Sequence, residues 1–142
     1  MIVQRLEHFN IRTTKLAETI EFYARALGME AKRAPMASSG PPTWLHDASG
    51  VAAVHITPVD PEDPEGSYAK ISQYRGGEPD AAFAGSGAID HIAFHCEDIG
   101  TCKSQLGAME VPFAENAYPK LNLTQLYIKD PNGITVELNF WA

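Results

Sequence analysis

Asp130-Pro131-Asn132-Gly133-Ile134-Thr135-Val136-Glu137-Leu138-Asn139-Phe140 is the stretch that decides the fold of this 142-residue chain. Its first four residues are turn formers, and the run after them is a strand. Thr135, Glu137, Asn139 and Trp141 fall on one face of that strand, with apolar residues between them. A carboxylate in so apolar a strand either faces solvent or is buried with a partner. Asp47-Ala48-Ser49-Gly50 stands in the same position of the first half, and the run after it carries His55. Further out, Leu6-Glu7-His8-Phe9 recurs as Ile89-Asp90-His91-Ile92, and both histidines lie 39 positions before their Asp-x-x-Gly turn. A repeat whose fixed points are three histidines and a carboxylate is hard to explain by packing alone.

The spacing predicts a strand over 3–12, with Leu6, His8, Asn10 and Arg12 on one face. A helix over 16–27 follows, with Leu16, Ile20, Tyr23 and Leu27 at helical spacing and Gly28 as its stop. Short strands are expected near 29–33, 42–45 and 51–57. The second half repeats the order. It has a strand over 88–96, a helix from the Asp98 cap to Leu106 before Gly107, and strands near 109–114, 121–129 and 134–140. The histidine-to-glycine spacings make the first helix one turn longer than the second. The fold class expected is α+β, a single domain of two βαβββ modules over 1–57 and 88–142. The segment 58–87 belongs to neither module. It holds Pro58, Pro61, Pro64 and Pro79 and the acids Asp60, Glu62, Asp63 and Glu65, and it reads as a linker or a flap. A short helix over 67–74 is possible within it.

Composition narrows the function. With 44% hydrophobic residues the chain is one globular unit, since two modules of this size are marginal alone. The net charge of −7 offers no basic patch, so nucleic acid is not an expected partner. Cys96 and Cys102, with no apolar leader ahead of them, read as reduced thiols of a cytoplasmic protein. No apolar run approaches the roughly 18 residues of a membrane span.

If the two sheets curl and face each other about a pseudo-twofold axis, His8, His55, His91 and Glu137 meet in one concave cup. Three imidazoles and a carboxylate suit Zn, Ni, Fe(II), Co or Mn. Trp44 and Tyr127 are related by the same 83-position offset as His8 and His91. If Leu45, Leu126 and Ile128 face the helices, then Trp44, Gln125 and Tyr127 face the cup. There they either stack on an apolar part of a substrate or simply pack on the sheet. Asn10, Arg12 and Asn139 are candidates for binding substrate oxygens, with a surface ion pair the alternative for Arg12. His46 is expected at the surface. His95 shares the face of His91 as a structural or lining residue.

The βαβββ repeat with His8 and His91 in the first strands, and Asp130-Pro131-Asn132-Gly133-Ile134-Thr135-Val136-Glu137-Leu138 at the end, resembles the vicinal oxygen chelate superfamily. Glyoxalase I, methylmalonyl-CoA epimerase, fosfomycin-resistance and bleomycin-resistance proteins and extradiol dioxygenases belong to it. The resemblance implies paired modules around a divalent metal, commonly in a homodimer, acting on a small molecule. The position of His55 is a Glu in glyoxalase I and a Gln in the epimerase, so the chain copies none of these members. Four protein ligands leave an octahedral ion two positions, enough for a bidentate substrate that becomes an enediolate. An extradiol dioxygenase needs three. The expectation is therefore a metal-dependent lyase or isomerase acting beside a carbonyl, with Glu137 moving the proton. An Fe(II) dioxygenase of aromatic substrates and a non-catalytic binding or resistance protein are the alternatives.

Overall fold

The computed structural model describes residues 1, 4–75, 85–86, 89 and 91–142, with the backbone alone for 72–75. Module one runs β1 (Phe9–Thr13), α1 (Leu16–Leu27), β2 (Glu30–Lys32), β3 (Trp44–His46) and β4 (Val54–Pro58). After α2 (Pro64–Arg75), module two runs β5 (Ile92–Cys96), α3 (Ile99–Ala108), β6 (Ala114–Tyr118), β7 (Leu123–Lys129) and β8 (Thr135–Trp141). Each module is a four-stranded mixed sheet, in the orders β1-β4-β3-β2 and β5-β8-β7-β6. The first strand of each module pairs parallel to its last, and the other pairs are antiparallel. This is the expected α+β arrangement of two βαβββ modules.

Alternation gives each sheet one buried face. Ile11, Leu45, Val54 and Ile56 of module one and Leu126, Ile128, Val136, Leu138 and Phe140 of module two join a single core. Phe22, Tyr23 and Ala26 of α1 and Leu106 of α3 fill it. Thr19, Phe22, Tyr23 and Ala26 are the buried stripe of α1, spaced as an amphipathic helix requires. Gly28 ends α1 with φ of 67°, a conformation that only glycine adopts without strain.

The modules are fastened by a buried polar contact at one end. The Asp130 turn docks on the start of α1, where Thr13 Oγ1 donates to Asn132 Oδ1 at 2.5 Å and Asn132 Nδ2 donates to Thr19 Oγ1 at 3.0 Å. Tyr23 OH donates to Asp130 Oδ2 at 3.2 Å. Burial first, and then the neighbouring Asp130 carboxylate, push the Tyr23 phenol far above its usual range.

Several boundaries differ from the expectations. β1 begins at Phe9 and leaves residues 4–8 outside the sheet, where Leu6 is 81% exposed and joins no core among the described residues. Part of the strand expected over 88–96 lies outside the described residues, and β5 begins at Ile92. The helix expected to stop before Gly107 runs through it to Ala108, and Glu110 takes the positive φ of 55° instead. Hence α1 has 12 residues and α3 has 10, less than the expected full turn of difference. The strand expected near 109–114 is β6 at Ala114–Tyr118, an edge strand exposed along its whole length. With no buried face it has no alternation to read. In the 58–87 segment the short helix is longer than expected, Pro64–Arg75. Tyr68 and Ile71 pack with Val59 in a small core of their own, and the Arg12 guanidinium lies over the Tyr68 ring at 5.4 Å. Residues 76–84, 87, 88 and 90 lie outside the described residues, and with them all of the expected flap beyond α2 except Gly85 and Ser86.

Cys96 and Cys102 are free thiols. Burial, and secondarily Cys102, push the Cys96 thiol up to about 11, and burial raises Cys102 as well. Both are therefore protonated at neutral pH, and iodoacetamide should modify the folded chain far more slowly than the denatured one, as followed by mass spectrometry. A raised folded-state value makes this contribution to stability complete below the ordinary thiol range. It fades as pH rises toward the Cys96 value.

Candidate metal centre

In each sheet the face opposite the core carries the chemistry. On module one, Asn10 of β1 lies opposite His55 of β4, which lies opposite Trp44 of β3. On module two, Ala93 of β5 lies opposite Glu137 of β8, which lies opposite Tyr127 of β7. His55 and Glu137 are thus structural equivalents, although the 83-position offset would equate His55 with the core residue Leu138. Module one holds an extra residue between its turn and β4, absorbed where Ala53 N donates to Val51 O at 2.9 Å. One residue of slip in a strand exchanges its two faces, and this one puts His55 on the open side.

The expected ligands are gathered as two pairs. In module one, the His8 and His55 rings stack with centroids 3.8 Å apart and planes 15° apart. Trp44 stacks on the other side of His55 at 4.0 Å and 9°. Burial, and then the adjacent His8, lower the His55 pKa below the usual imidazole value. Asn10 Oδ1 accepts from Thr57 Oγ1 at 2.9 Å.

In module two, Glu137 is a buried carboxylate, 6% exposed. Its Oε2 lies 3.0 Å from His91 Nε2. Its Oε1 accepts from Gln125 Nε2 at 2.9 Å and from Asn139 Nδ2 at 2.7 Å. Tyr127 OH donates to Gln125 Oε1 at 3.2 Å, and the Tyr127 ring meets His91 edge-on at 6.1 Å. Trp44, Gln125, Tyr127 and Asn139, expected to line the site, therefore touch its expected ligands. Arg12 lies toward α2 on Tyr68. His46, expected at the surface, is half-buried, and its Nδ1 is buried without a hydrogen-bond partner. His95 is exposed.

The quartet expected in one cup does not converge within one chain. Among the described residues, no three His, Cys, Asp or Glu side chains are grouped closely enough to hold an ion. The physical reason is the direction of the sheets. Both turn their core faces toward one shared core, so the faces bearing the pairs look outward. By donor chemistry the residues do fit a divalent ion, since two imidazoles, and an imidazole with a carboxylate, are borderline-soft donors. His8 must turn to join His55 on one ion. Imidazole lone pairs lie in the ring plane, and stacked rings direct them side by side instead of to a common point.

Two four-stranded mixed sheets on a tandem βαβββ core, each with histidine or carboxylate donors on its open face, define a class of fold with paired modules. The chain belongs to the Glyoxalase/Bleomycin resistance protein/Dioxygenase superfamily, whose model matches residues 5–138. No curated protein matches it. Among solved structures it is similar to lactoylglutathione lyase from Agrobacterium tumefaciens, with 17% identity and a TM-score of 0.63 over 98% of this chain and 95% of that one. A genomically encoded fosfomycin resistance protein from Listeria monocytogenes gives 14% identity and 0.65, over 99% and 96%. An antibiotic binding protein from Streptomyces sp. CB03234 gives 14% and 0.60, over 100% and 99%. At these identities the likeness is one of fold. No helix among the described residues is long and apolar enough to cross a membrane.

Proposed function

We propose that this protein is a divalent-metal-dependent lyase or isomerase that moves a proton beside a carbonyl of a small organic substrate, at sites completed by a second copy of the chain. Glu137 carries the proposal. A carboxylate this buried in an apolar strand is expensive without a task or a partner. Its partners leave one oxygen for chemistry, because Gln125 and Asn139 both occupy Oε1 while Oε2 is met by His91 alone among its named contacts. In this role Oε2 takes the proton from carbon and returns it to the neighbouring atom or the opposite face. The two amides keep the carboxylate oriented through the transfer. Trp44 and Tyr127, equivalent positions of the two modules, hold the carbon skeleton between aromatic walls. His8, His55, His91 and Glu137 would hold the ion, which when bound supplies Lewis acidity toward the substrate oxygens, a stabilisation of several kcal/mol.

The outward faces support a homodimer. Each chain offers a His8–His55 half and a His91–Glu137 half. A twofold partner that lays one half on the other closes two complete sites. Complementation tests this. His8→Ala and Glu137→Ala should each lose bound metal, measured by inductively coupled plasma mass spectrometry on tag-free protein purified without chelators. After mixing and subunit exchange, half of the dimers are mixed and carry one intact site of two. Metal content should therefore return to about a quarter of the wild-type value. No recovery between competent, exchanging dimers would rule out the shared site. Turnover would be sought with 2-oxoaldehyde adducts of thiols and with epimerisable acids.

The Trp44–His55–His8 stack favours one alternative, a protein that sequesters an aromatic molecule without reaction. Metal-free protein that takes up no metal on titration, yet quenches Trp44 fluorescence with such ligands, would support it over the enzyme. Stoichiometric, O₂-reactive iron would point instead to the dioxygenase.

A further inference from the structure

The internal repeat has a second consequence, away from the sheet faces. Cys96 and Cys102 stand 83 positions beyond Thr13 and Thr19, and Leu106 stands 83 beyond Tyr23. In module one those residues form the seat of the Asp130 turn, and the Thr13 and Thr19 hydroxyl oxygens are 3.5 Å apart. The equivalent seat in module two thus sets a strand-end thiol beside a thiol in the first turns of a helix. Its turn is Asp47-Ala48-Ser49-Gly50, with Ser49 in place of Asn132. None of the polar lock is reproduced there. Asp47 Oδ1 accepts from Ser49 N, Ser49 Oγ and Val51 N, all within its own turn.

The seat is open where its counterpart is filled. A cavity of about 450 Å³ separates Ala48 and Ser49 from Phe94 and Cys96. Cys96 and Cys102 together line an adjoining pocket of about 240 Å³, with Leu27, Thr101 and Gln105. Both thiols are half-exposed and free. In module one this junction is fixed by hydrogen bonds between the modules, whereas in module two Cys96 borders the gap and both thiols line the pocket that adjoins it.

We propose that Cys96 and Cys102 are a redox modification site, closing to an intramolecular disulfide across this open seat when they meet a small-molecule disulfide. One thiol loses its proton, and its sulfur attacks the reagent disulfide, forming a mixed disulfide and expelling one thiolate. The second cysteine sulfur attacks the protein sulfur of that mixed disulfide and expels the other thiolate. The protein gives up two protons and two electrons, and the reagent is reduced to two thiols. The bond would tie the end of β5 to α3 within module two, bracing the seat where the Thr13 and Thr19 hydroxyls of module one are braced by the Asp130 turn. Burial keeps both thiols protonated, so closure is slow at neutral pH and accelerates as pH rises.

Oxidised glutathione added to the native chain at mildly alkaline pH tests this by intact-mass measurement and non-reducing peptide mapping. The expected product is lighter by two hydrogens, retains no glutathione, and yields one peptide pair joined through Cys96 and Cys102. Cys96→Ser and Cys102→Ser should each stop at a single glutathione adduct. Stable double adducts on the wild-type chain, a disulfide between chains, or reaction only after unfolding would overturn the proposal.

Discussion

Replacing Asp130 by alanine is expected to lower the unfolding free energy by about 3 kcal/mol, read from urea denaturation at unchanged slope. Asp130 is 5% exposed. Its Oδ1 accepts from the amides of Asn132 and Ile134, both at 2.8 Å. Its Oδ2 accepts from Tyr23 OH and from Asn132 Nδ2, both at 3.2 Å. Truncation leaves several buried donors unpaired, each costing roughly 1–3 kcal/mol, with some recovered by relaxation and water. The equivalent Asp47→Ala removes only contacts within an exposed turn and should cost about 1 kcal/mol or less. The same four-residue turn thus gives two different answers. Equal losses at the two positions would mean that the contact between the modules contributes little and that turn formation alone matters. Asp47 also sets a direction with pH. Its hydrogen bonds, that from Ser49 foremost, hold the carboxyl below its usual range. Its stabilising contribution is complete above the unfolded carboxyl's pKa and disappears as pH falls through the lowered one.

The second large effect is on chemistry. Glu137→Gln should leave the fold in place and reduce proton transfer by about 10²–10⁴-fold, the usual worth of a positioned general base. The amide oxygen can still accept from Gln125 and Asn139, so the local network survives. What disappears is the charge beside His91 and the basic oxygen. Isotope exchange from solvent into the carbon beside a substrate carbonyl measures the step directly. Metal content, measured in parallel, separates a lost ligand from a lost base. A variant that retains metal and exchanges at the wild-type rate would remove Glu137 from the proposed role. Gln125→Ala is the complementary case. It strips one donor from Oε1 and leaves Oε2, so it should slow exchange by a smaller factor than Glu137→Gln.

The repeat made much of this architecture legible. α1 is readable to its ends because Leu16, Ile20, Tyr23 and Leu27 recur at helical spacing and Gly28 supplies the left-handed stop. The fully buried stripe is nevertheless Thr19, Phe22, Tyr23 and Ala26, and Leu16, Ile20 and Leu27 are only partly buried. The Asp130 and Asp47 turns were readable because their side chains cap their own backbones, a local chemistry that needs no distant partner. β6 was misplaced because an exposed edge strand carries no burial pattern. Gly107 was mistaken for a stop because a glycine in a helix looks the same in sequence as one after it.

By itself the sequence determined the two modules, their order, the faces of β7 and β8, and the residue types that could bind a metal. These rest on periodicity and local turn chemistry, which are properties of neighbours along the chain. The sequence also assigned His55 to the face away from the core, and the extra residue before β4 is what makes that register fit. The tertiary structure alone decided two things. The Asp130 turn, but not the Asp47 turn, became a buried lock, because Thr13, Thr19 and Tyr23 await the first while Cys96, Cys102 and Leu106 face the second. And the four candidate ligands were divided into two outward pairs, because both sheets spend their apolar faces on one shared core and only the polar faces remain for a partner.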